Sequence, residues 1–365
     1  MALKVAIVGL PNVGKSTLFN ALTQTAQAQA ANYPFCTIEP NVGDVAVPEP
    51  RLEALAKISG SKEIIPARIN FVDVAGLVRG ASKGEGLGNQ FLANIRDCDA
   101  VAFVARCFVN DDITHVEGRI DPIDDLDIIE TELMLADLES LEKRRPNLEK
   151  RAKGGDKDSA NTVRLIDLAL AQLNDGRPAR AARVPVDDEK AWHMLQLLTS
   201  LPALYVCNVD EGSADAGNAY SDLVATRALR DNAKSVVISA QIESEIALLD
   251  SGERAEFLET LGLEEPGLNR LIREAYALLG LQTYFTVGPK EARAWTIHAG
   301  DTAPQAAGVI HGDFEKGFIR AETIAFDDFV KLNGEAGAKD AGKMRSEGKE
   351  YIVKDGDVMH FRFNV

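Results

Sequence analysis

Apolar residues occur along this chain in short continuous runs that alternate with segments of helical period. The runs span residues 3–8, 69–74, 100–105, 204–207 and 236–238. Apolar runs of this length are typical of strands that are buried on both faces of a parallel sheet. Their alternation with helical segments predicts an α/β fold with a mostly parallel sheet, whose ligands bind beyond the carboxyl ends of the strands.

The alternation stops near residue 125, where a long helical pattern begins. Residues 126–153 predict one helix, which Pro146 would bend because a proline in a helix interior removes a backbone hydrogen bond. A short turn leads to a second helix over 159–174. Its heptad seam consists of Val163, Ile166, Leu170 and Leu173. The pair predicts an antiparallel helical hairpin, or coiled coil, inserted at 126–200, because strands of the sheet resume at residue 204.

From about residue 283 the pattern becomes rich in strands. Strands are predicted at 284–287, 293–297 and 318–324, with a helix at 303–311. Residues 351–363 predict a closing hairpin with its turn at Asp355-Gly356. These elements form a small α+β domain. We therefore divide the chain into a first domain over 1–281, which includes the helical insertion, and a second domain over 282–365.

Residues 9–16 read Gly-Leu-Pro-Asn-Val-Gly-Lys-Ser and lie between the first predicted strand and a predicted helix. Glycines let backbone N–H groups curl around an anion, and a helix N-terminus adds the positive end of its dipole. The strand–loop–helix context indicates a P-loop, in which Lys15 reaches the β- and γ-phosphates of a nucleotide and the Ser16 hydroxyl binds Mg²⁺. The residues expected to bind the nucleotide here are Asn12, Val13, Gly14, Lys15, Ser16 and Thr17.

Three further residues are expected around the metal ion and the γ-phosphate. Asp73 ends a predicted strand, and in P-loop proteins such an Asp holds Mg²⁺, usually through water. Gly76, three residues later, would give its backbone N–H to the γ-phosphate. Thr37 lies between the P-loop and Asp73, and its hydroxyl is predicted to be the second Mg²⁺ ligand on a loop that the γ-phosphate orders. A surface threonine in a Pro-bounded turn is the alternative for Thr37.

The residue after Gly76 bears on the rate of hydrolysis. Many GTPases carry a water-orienting Gln there, whereas this chain has Leu77, which cannot orient water. Intrinsic hydrolysis is therefore predicted to be slow. The nearby candidates for the missing role are Arg79, Lys83 and His115. Of these, His115 carries an imidazole, which can orient or activate water near neutral pH. A solvated loop histidine is the alternative.

The base-binding segment departs from the pattern of guanine-specific proteins. Those carry Asn-Lys-x-Asp after a late strand, and the Asp accepts hydrogen bonds from guanine. Here the segment reads Asn208-Val209-Asp210-Glu211, so the Lys is missing and a longer Glu replaces the Asp. A site without that pairing does not reject other bases strongly, which favours ATP as a ligand over strict GTP specificity. The residues expected at the base are Asn208, Val209, Glu211, Ser239 and Ala240.

Composition narrows the choice of partners and compartment. The net charge of −16 argues against sequence-specific binding of duplex DNA through a global field. No apolar run approaches the roughly 18 residues of a membrane span. The four cysteines form no CxxC pair, so no metal or disulfide framework is indicated, and a reducing cytoplasm is expected.

Basic residues nevertheless outnumber acidic ones at the tip of the predicted hairpin, between residues 141 and 164. The basic residues are Lys143, Arg144, Arg145, Lys150, Arg151, Lys153, Lys157 and Arg164. Two interpretations stay open, a solvated helix tip or a contact for a phosphate backbone such as that of RNA.

Together these motifs resemble the Obg-like ATPases of the YchF group, which are P-loop proteins of the translation-factor class. The resemblance extends over essentially the whole chain and is carried by residues 9–16, 32–41, 73–90, 208–211 and 282–365. It implies a G domain with a coiled-coil insertion, a C-terminal TGS domain of β-grasp type, and ATP in preference to GTP. It also implies association with the ribosome, through its RNA or proteins, and a role in translation or stress responses. By this resemblance, His115 is the water-positioning group.

The resemblance also suggests a monovalent cation. In some relatives with the same P-loop sequence, an Asn at the position of Asn12 helps to hold K⁺ beside the bridge between the β- and γ-phosphates. Such a cation would supply charge that an arginine otherwise brings. A turn-forming asparagine is the alternative.

Overall fold

The computed structural model describes residues 3–30, 41–74, 87–113 and 118–364. Within these ranges the strands are β1 (Lys4–Val8), β2 (Val42–Ala46), β3 (Glu63–Ile65), β4 (Arg68–Asp73), β5 (Ala100–Cys107), β6 (Ala203–Val209), β7 (Lys234–Ile238), β8 (Leu281–Val287), β9 (Glu291–His298), β10 (Phe318–Ala325), β11 (Arg345–Glu347) and β12 (Asp357–Phe363). The α-helices are α1 (Lys15–Ala30), α2 (Pro50–Ser59), α3 (Leu87–Arg96), α4 (Pro122–Lys153), α5 (Lys157–Asn174), α6 (Glu189–His193), α7 (Ala219–Arg230), α8 (Ala240–Ile246), α9 (Ser251–Thr260), α10 (Gly267–Leu278), α11 (Ala303–Ile310), α12 (Gly312–Lys316), α13 (Phe326–Lys331) and α14 (Glu335–Asp340). No helix in these ranges is both long and apolar enough to cross a membrane.

The first sheet has six strands in the order β2-β4-β1-β5-β6-β7. All neighbouring strands are parallel except β2 and β4, so the predicted mostly parallel sheet is confirmed. Every residue of β5 and β6 is buried, which explains their continuous apolar runs. The antiparallel edge strand β2 was missed because its alternating burial leaves only a weak apolar signal. Strands β4 and β5 lie on opposite sides of β1 in the sheet. The carboxyl end of β1 is therefore a topological switch point, which is where ligands bind in α/β sheets.

The predicted helical hairpin is formed by α4 and α5, and Pro146 lies inside α4. The predicted seam is only partly right. Ile166 and Leu173 are buried, but Val163 and Leu170 are only half-buried, while Leu165 and Ala169 are fully buried. The reason is that residues 179–197 fold back over the hairpin. Their buried side chains, which widen the apolar stripe beyond a two-helix seam, are Ala179, Trp192, Leu195 and Leu197.

The second sheet is mixed and has the order β11-β10-β12-β8-β9-β3. Helix α11 packs on one face, in a core that includes Tyr284, Ala306 and Phe361. The α+β character of this region is therefore confirmed, but the predicted hairpin over 351–363 is wrong. Strand β12 pairs with β10 and β8, whereas the segment before it only bridges Thr302 through Ile352.

The turn before β12 is held by a different strand from the one predicted. The Gly356 N–H donates to the Thr283 carbonyl at 2.8 Å, and the Asp355 carboxylate accepts from the Thr283 N–H at 2.9 Å. The Gly356 N–H and the Asp355 carboxylate are thus both bonded to Thr283 of β8, and residues 351–354 do not form a hairpin arm with β12. The turn signal was correct, but the sequence pattern did not show which strand would satisfy it.

The two sheets are joined by a segment from the first half of the chain. Strand β3 lies in the second sheet, where it runs parallel to β9. On the preceding helix, Arg51 binds Glu49, donates to the Asp355 carboxylate at 2.7 Å, and lies 5.3 Å from the centre of the Phe285 ring. The second sheet is thus attached to the first part of the chain by strand pairing and by an ion pair. The division of domains at residues 281 and 282 stays a prediction.

Helices α8 and α10 are joined by a buried acid. Glu243 is 2% exposed, and its Oε1 atom accepts a hydrogen bond of 2.7 Å from the Gly267 N–H at the start of α10. Burial raises the pKa of Glu243 to about 7, against smaller opposing effects of backbone N–H donors and of Arg270 and Arg254. Its Oε2 atom is buried without a hydrogen-bond partner in the described residues, so a proton there is favoured below about pH 7.

This arrangement predicts a stability that depends on pH. The folded chain holds the Glu243 proton more tightly than the unfolded chain, so the free energy of unfolding falls as the pH rises from about 4.5 to about 7. Glu243→Gln removes this dependence. Relative to the wild type, we expect the variant's free energy of unfolding to rise by about 2 kcal/mol between pH 5 and pH 8, because the wild type loses the contribution of the Glu243 proton over that range.

Urea unfolding at a series of pH values measures this shift. Glu259→Gln, at an exposed position of α9, is the matched control and should follow the wild type at every pH. Parallel pH curves for Glu243→Gln and the wild type would contradict the role given to Glu243.

Candidate nucleotide-binding site

The predicted P-loop connects the carboxyl end of β1 to the first turn of α1. Asn12 has φ +66° and Gly14 has φ +90°, so two residues of the loop adopt left-handed backbone conformations before the helix begins at Lys15. A Cβ atom on Gly14 would lie 2.1 Å from the Nδ2 atom of Asn208, so this position accepts only glycine without rearrangement. The Leu18 N–H donates to the Gly14 carbonyl at 3.0 Å, which begins the helix. The left-handed Asn12 fits the turn-forming alternative.

Lys15 and Asp73 meet although 58 residues separate them in the chain. Strand β1 runs parallel to β4 with Ile7 beside Asp73, so the P-loop and the end of β4 lie at the same edge of the sheet. Lys15 is 8% exposed, and its Nζ atom donates to Asp73 Oδ1 in an ion pair. The predicted phosphate-binding cation and the predicted metal-binding carboxylate are therefore in direct contact.

Asn208 connects three parts of the site. Its Nδ2 atom donates to the Val13 carbonyl at 2.9 Å, and its Oδ1 atom accepts from the Ala240 N–H at 2.9 Å. The side chain is 5% exposed and lies at the carboxyl end of β6, between the P-loop and α8. The sequence indicated Asn208 as a base contact. The structure shows that both ends of its amide bind backbone, one end in the P-loop and the other at the start of α8, while the base contact stays a prediction.

A cleft of about 1190 Å³ lies at this edge of the sheet. The predicted residues that line it are Asn12, Gly14, Lys15, Ser16, Thr17, Asp73, Asn208, Val209, Glu211 and Ala240. Glu211 is exposed and begins the short 3-10 helix Glu211–Ser213. Val13 and Ser239 are buried and are not among the lining residues in the described part of the chain, so a role for Val13 would use its backbone.

Other lining residues were missed by the sequence analysis. They are Leu10, Pro11, Phe108, Val109, Asn110, Ile113, Asp210, Gly212, Gln241, Ser244 and Glu245. Many follow the carboxyl ends of strands that had been identified, so their position after β5 or β7 was the available signal. Leu10 and Pro11 stand at variable positions of the P-loop and Asp210 at the variable position of the segment 208–211, whereas the other eight belong to no motif.

Three predicted site residues lie outside the described residues. These are Thr37, Gly76 and His115, and Leu77 is a fourth position of interest there. Their predicted roles in metal binding, phosphate binding and hydrolysis stay predictions.

The oxygen donors of the cleft suit a hard divalent cation. The exposed Ser16 hydroxyl and the Asp73 carboxylate line the same cleft, and oxygen ligands are those that Mg²⁺ prefers. Among the described residues, no three His, Cys, Asp or Glu side chains are grouped to hold a metal ion. The site therefore fits an ion that is held by one or two protein oxygens together with nucleotide phosphates.

The parallel sheet, the glycine-dependent loop before α1 and the contact between Lys15 and Asp73 define a P-loop nucleoside triphosphatase. Comparison with known families agrees. Residues 4–145 match the MMR_HSR1 family, described as 50S ribosome-binding GTPase. Residues 281–364 match the YchF-GTPase_C family, which is described as a protein of unknown function.

Similar proteins extend over the full chain. The relative from Haemophilus influenzae, named ribosome-binding ATPase YchF, is 59% identical, and those of the same name from Escherichia coli O157:H7 and Bacillus subtilis are 56% and 53% identical. In each case 100% of both chains is covered. A solved structure described as the Schizosaccharomyces pombe YchF GTPase is 36% identical, with a TM-score of 0.87 over 99% of this chain and 97% of that one. This chain therefore belongs to the YchF family.

The geometry around Gly14 gives a direct test of the site. In Gly14→Ala the new Cβ displaces the Asn208 amide, which would break its two backbone hydrogen bonds at a cost of about 1 kcal/mol each. We therefore expect the affinity for ATP to fall by at least about tenfold, which corresponds to roughly 1.4 kcal/mol. Titration with a fluorescent ATP analogue measures the change.

Gly60→Ala is the matched control. Gly60 also has a positive φ, of +63°, but apart from its chain neighbours no described residue has an atom within 4 Å of its Cβ position. The control should lose stability by about 1 kcal/mol from backbone strain and bind ATP as the wild type does. Equal affinities of Gly14→Ala and the wild type would refute the assignment of this loop.

Proposed function

We propose that this protein is a Mg²⁺-dependent ATPase that converts ATP slowly to ADP and phosphate, and that it binds the ribosome in the cytoplasm. The observation that carries the hydrolase is the contact between Lys15 and Asp73 at the switch point of the sheet. Ribosome binding and ATP as substrate are supported by the names of relatives that match the whole chain. Regulation of translation or of a stress response is the physiological role that we infer from this pair of activities.

Each part of the cleft has a role in this proposal. The backbone and side chains of residues 12–17 bind the phosphates, and Lys15 approaches the β- and γ-phosphates. Ser16 and Asp73, with Thr37, would hold Mg²⁺, which when bound neutralises charge on the β- and γ-phosphate oxygens. The Gly76 N–H donates to the γ-phosphate.

The base pocket favours ATP because the groups that select guanine are absent or otherwise engaged. Val209 stands where a Lys would pack along the base, and it is only 3% exposed. The Asn208 amide is bonded to the backbone of Val13 and Ala240. The segment has two carboxylates. The Asp210 Oδ1 atom accepts a hydrogen bond of 3.0 Å from the Ser213 hydroxyl, whereas Glu211 stands at the exposed start of a short helix. Glu211 also stands at the position of the guanine-binding Asp, so it is the carboxylate through which a preference for GTP would have to act.

Direct competition between ATP and GTP tests this preference, with Mg²⁺ and K⁺ present. We expect ATP to bind about tenfold more tightly, which corresponds to roughly 1.4 kcal/mol. Glu211→Gln should change the affinity for neither nucleotide, as should the neighbouring control Asp210→Asn. If GTP binds more tightly and Glu211→Gln abolishes that advantage, Glu211 accepts guanine and the protein is a ribosome-associated GTPase.

The basic tip of the helical hairpin is the surface that we propose for ribosomal RNA. Several of its charges are paired within the hairpin, because Arg145 binds Asp167 and Arg151 binds Asp156. The side chains of Lys143, Lys150 and Lys157 are exposed. Exposed lysines at the end of a long arm suit contact with a phosphate backbone.

Variants of Lys15 and His115 separate hydrolysis from ribosome binding. Lys15→Ala should abolish both ATP binding and any binding to ribosomes that needs ATP. His115→Ala should lower kcat by about 100-fold or more while leaving ATP affinity and ATP-dependent binding intact, because it removes only the group that positions water. Steady-state hydrolysis and co-sedimentation with ribosomes measure the two activities.

The same assays give the outcomes that count against these roles. Unchanged hydrolysis in His115→Ala would remove His115 from the mechanism. Co-sedimentation of a Lys143→Glu, Lys150→Glu double variant at the wild-type level would leave the hairpin tip as a solvated surface. Equal hydrolysis rates in Na⁺ and K⁺ would dismiss K⁺ binding beside Asn12.

A further inference from the structure

Arg106 is a fully buried cation at the carboxyl end of β5, with 1% of its surface exposed. Its guanidinium donates three hydrogen bonds to backbone carbonyls of the loop that follows. The acceptors are Phe108 at 3.3 Å from Nε, Ile113 at 2.9 Å from Nη1, and Asn110 at 3.0 Å from Nη2. The guanidinium also lies 4.6 Å from the centre of the Phe108 ring.

These contacts depend on the shape of the arginine side chain. Burial lowers the pKa of Arg106, and the buried carboxylate of Asp125 in the first turn of α4 opposes that effect. The three carbonyls replace the water that the charge has lost. Only a planar fork with five donors can reach carbonyls at three different points of one loop, so a lysine at this position cannot reproduce the set.

The loop that Arg106 holds is a wall of the nucleotide cleft. Phe108, Asn110 and Ile113 all line that cleft, although none of them belongs to a recognised motif. At the base of the loop, the Asn218 side chain donates to the Cys107 carbonyl at 2.7 Å, so the end of the strand is fixed as well. The loop conformation is therefore set from behind by two side chains that are not among the described residues lining the cleft.

The strand register relates Arg106 to Asn208, whose two hydrogen bonds to backbone groups were described above. In the parallel pairing of β5 with β6, Arg106 stands beside Asn208. Asn208 fixes the P-loop and α8, while Arg106 fixes the loop over residues 108–113. Arg106 and Asn208, which are neighbours across β5 and β6, thus hold three walls of the same cleft in place.

We propose that Arg106 is a positioning residue for nucleotide binding, which sets the wall over residues 108–113 against the nucleoside. The P-loop takes the phosphates, so the wall after β5 is left to the base and ribose. The inference rests on nucleotide binding at the P-loop. It predicts that loss of Arg106 weakens binding of the nucleoside and leaves binding of the phosphates unchanged.

The experiment compares Mg-ATP and Mg-tripolyphosphate as ligands of the full chain. Both affinities are measured by displacement of a fluorescent ATP analogue, and urea unfolding is recorded for every variant. Arg106→Gln should bind ATP about tenfold more weakly than the wild type and bind tripolyphosphate equally well. Arg106→Lys should stay well below wild-type affinity, because one ammonium cannot span the three carbonyls.

Arg270→Gln is the matched control. The Arg270 guanidinium also binds two backbone carbonyls, of Val237 at 3.1 Å and Ala214 at 3.3 Å, but it does not line this cleft. This variant should bind both ligands as the wild type does. Arg106→Ala with guanidinium added at a low, non-denaturing concentration provides a rescue, which should restore part of the affinity for ATP.

The outcomes are distinct. An equal loss of affinity for ATP and tripolyphosphate, or a loss of stability with no change in either affinity, would show that Arg106 has only a structural role and overturn the proposal. Failure of guanidinium to restore ATP binding in a folded Arg106→Ala variant would also count against it. The wild-type ATP titration tests nucleotide binding itself, so failure of the proposed function is visible separately from failure of the role given to Arg106.

Discussion

The nucleotide site depends on the two hydrogen bonds that the Asn208 amide makes with backbone groups far apart in sequence. One bond holds the Val13 carbonyl of the P-loop, and the other holds the Ala240 N–H at the start of α8. A short amide side chain that carries both a donor and an acceptor can make this bridge only from a strand that ends between the two loops. The close approach of Asn208 is also the reason why position 14 must be glycine. These two hydrogen bonds therefore hold the P-loop and the start of α8 in place, and the position of Asn208 requires glycine at position 14.

The same edge of the sheet is organised by buried polar groups whose bonds are directed at backbone. Arg106 binds three carbonyls, and Glu243 caps α10 from within α8. Buried polar groups are costly unless they are paired, so each of these contacts resists displacement. The result is a cleft whose walls are fixed from behind, which leaves Lys15, Ser16 and Asp73 to face the ligand.

The second sheet is connected to this site through the chain that runs between Thr37 and Asp73. That segment contains β3, which pairs with β9, and α2, from which Arg51 reaches Asp355. The apolar core also continues from the first sheet into the face of the second that includes Phe285. The two regions have different secondary-structure patterns, yet they share a core, and the first part of the chain supplies a strand to the second sheet. Asp73, the carboxylate predicted to bind Mg²⁺ at the end of β4, therefore lies only eight residues after the end of β3, a strand of the second sheet.

Local sequence patterns were enough to predict the class of site and most of the strands. The P-loop is contiguous, and its chemistry demands Gly14, Lys15 and Ser16 in fixed order between a strand and a helix, so local information was sufficient. Long-range contacts set three features: which strand satisfies the turn at Asp355, the place of β3 in the second sheet, and the position of Arg106 beside Asn208. These features depend on pairing between distant backbone groups, and an apolar period shows that a segment is buried without showing its neighbour.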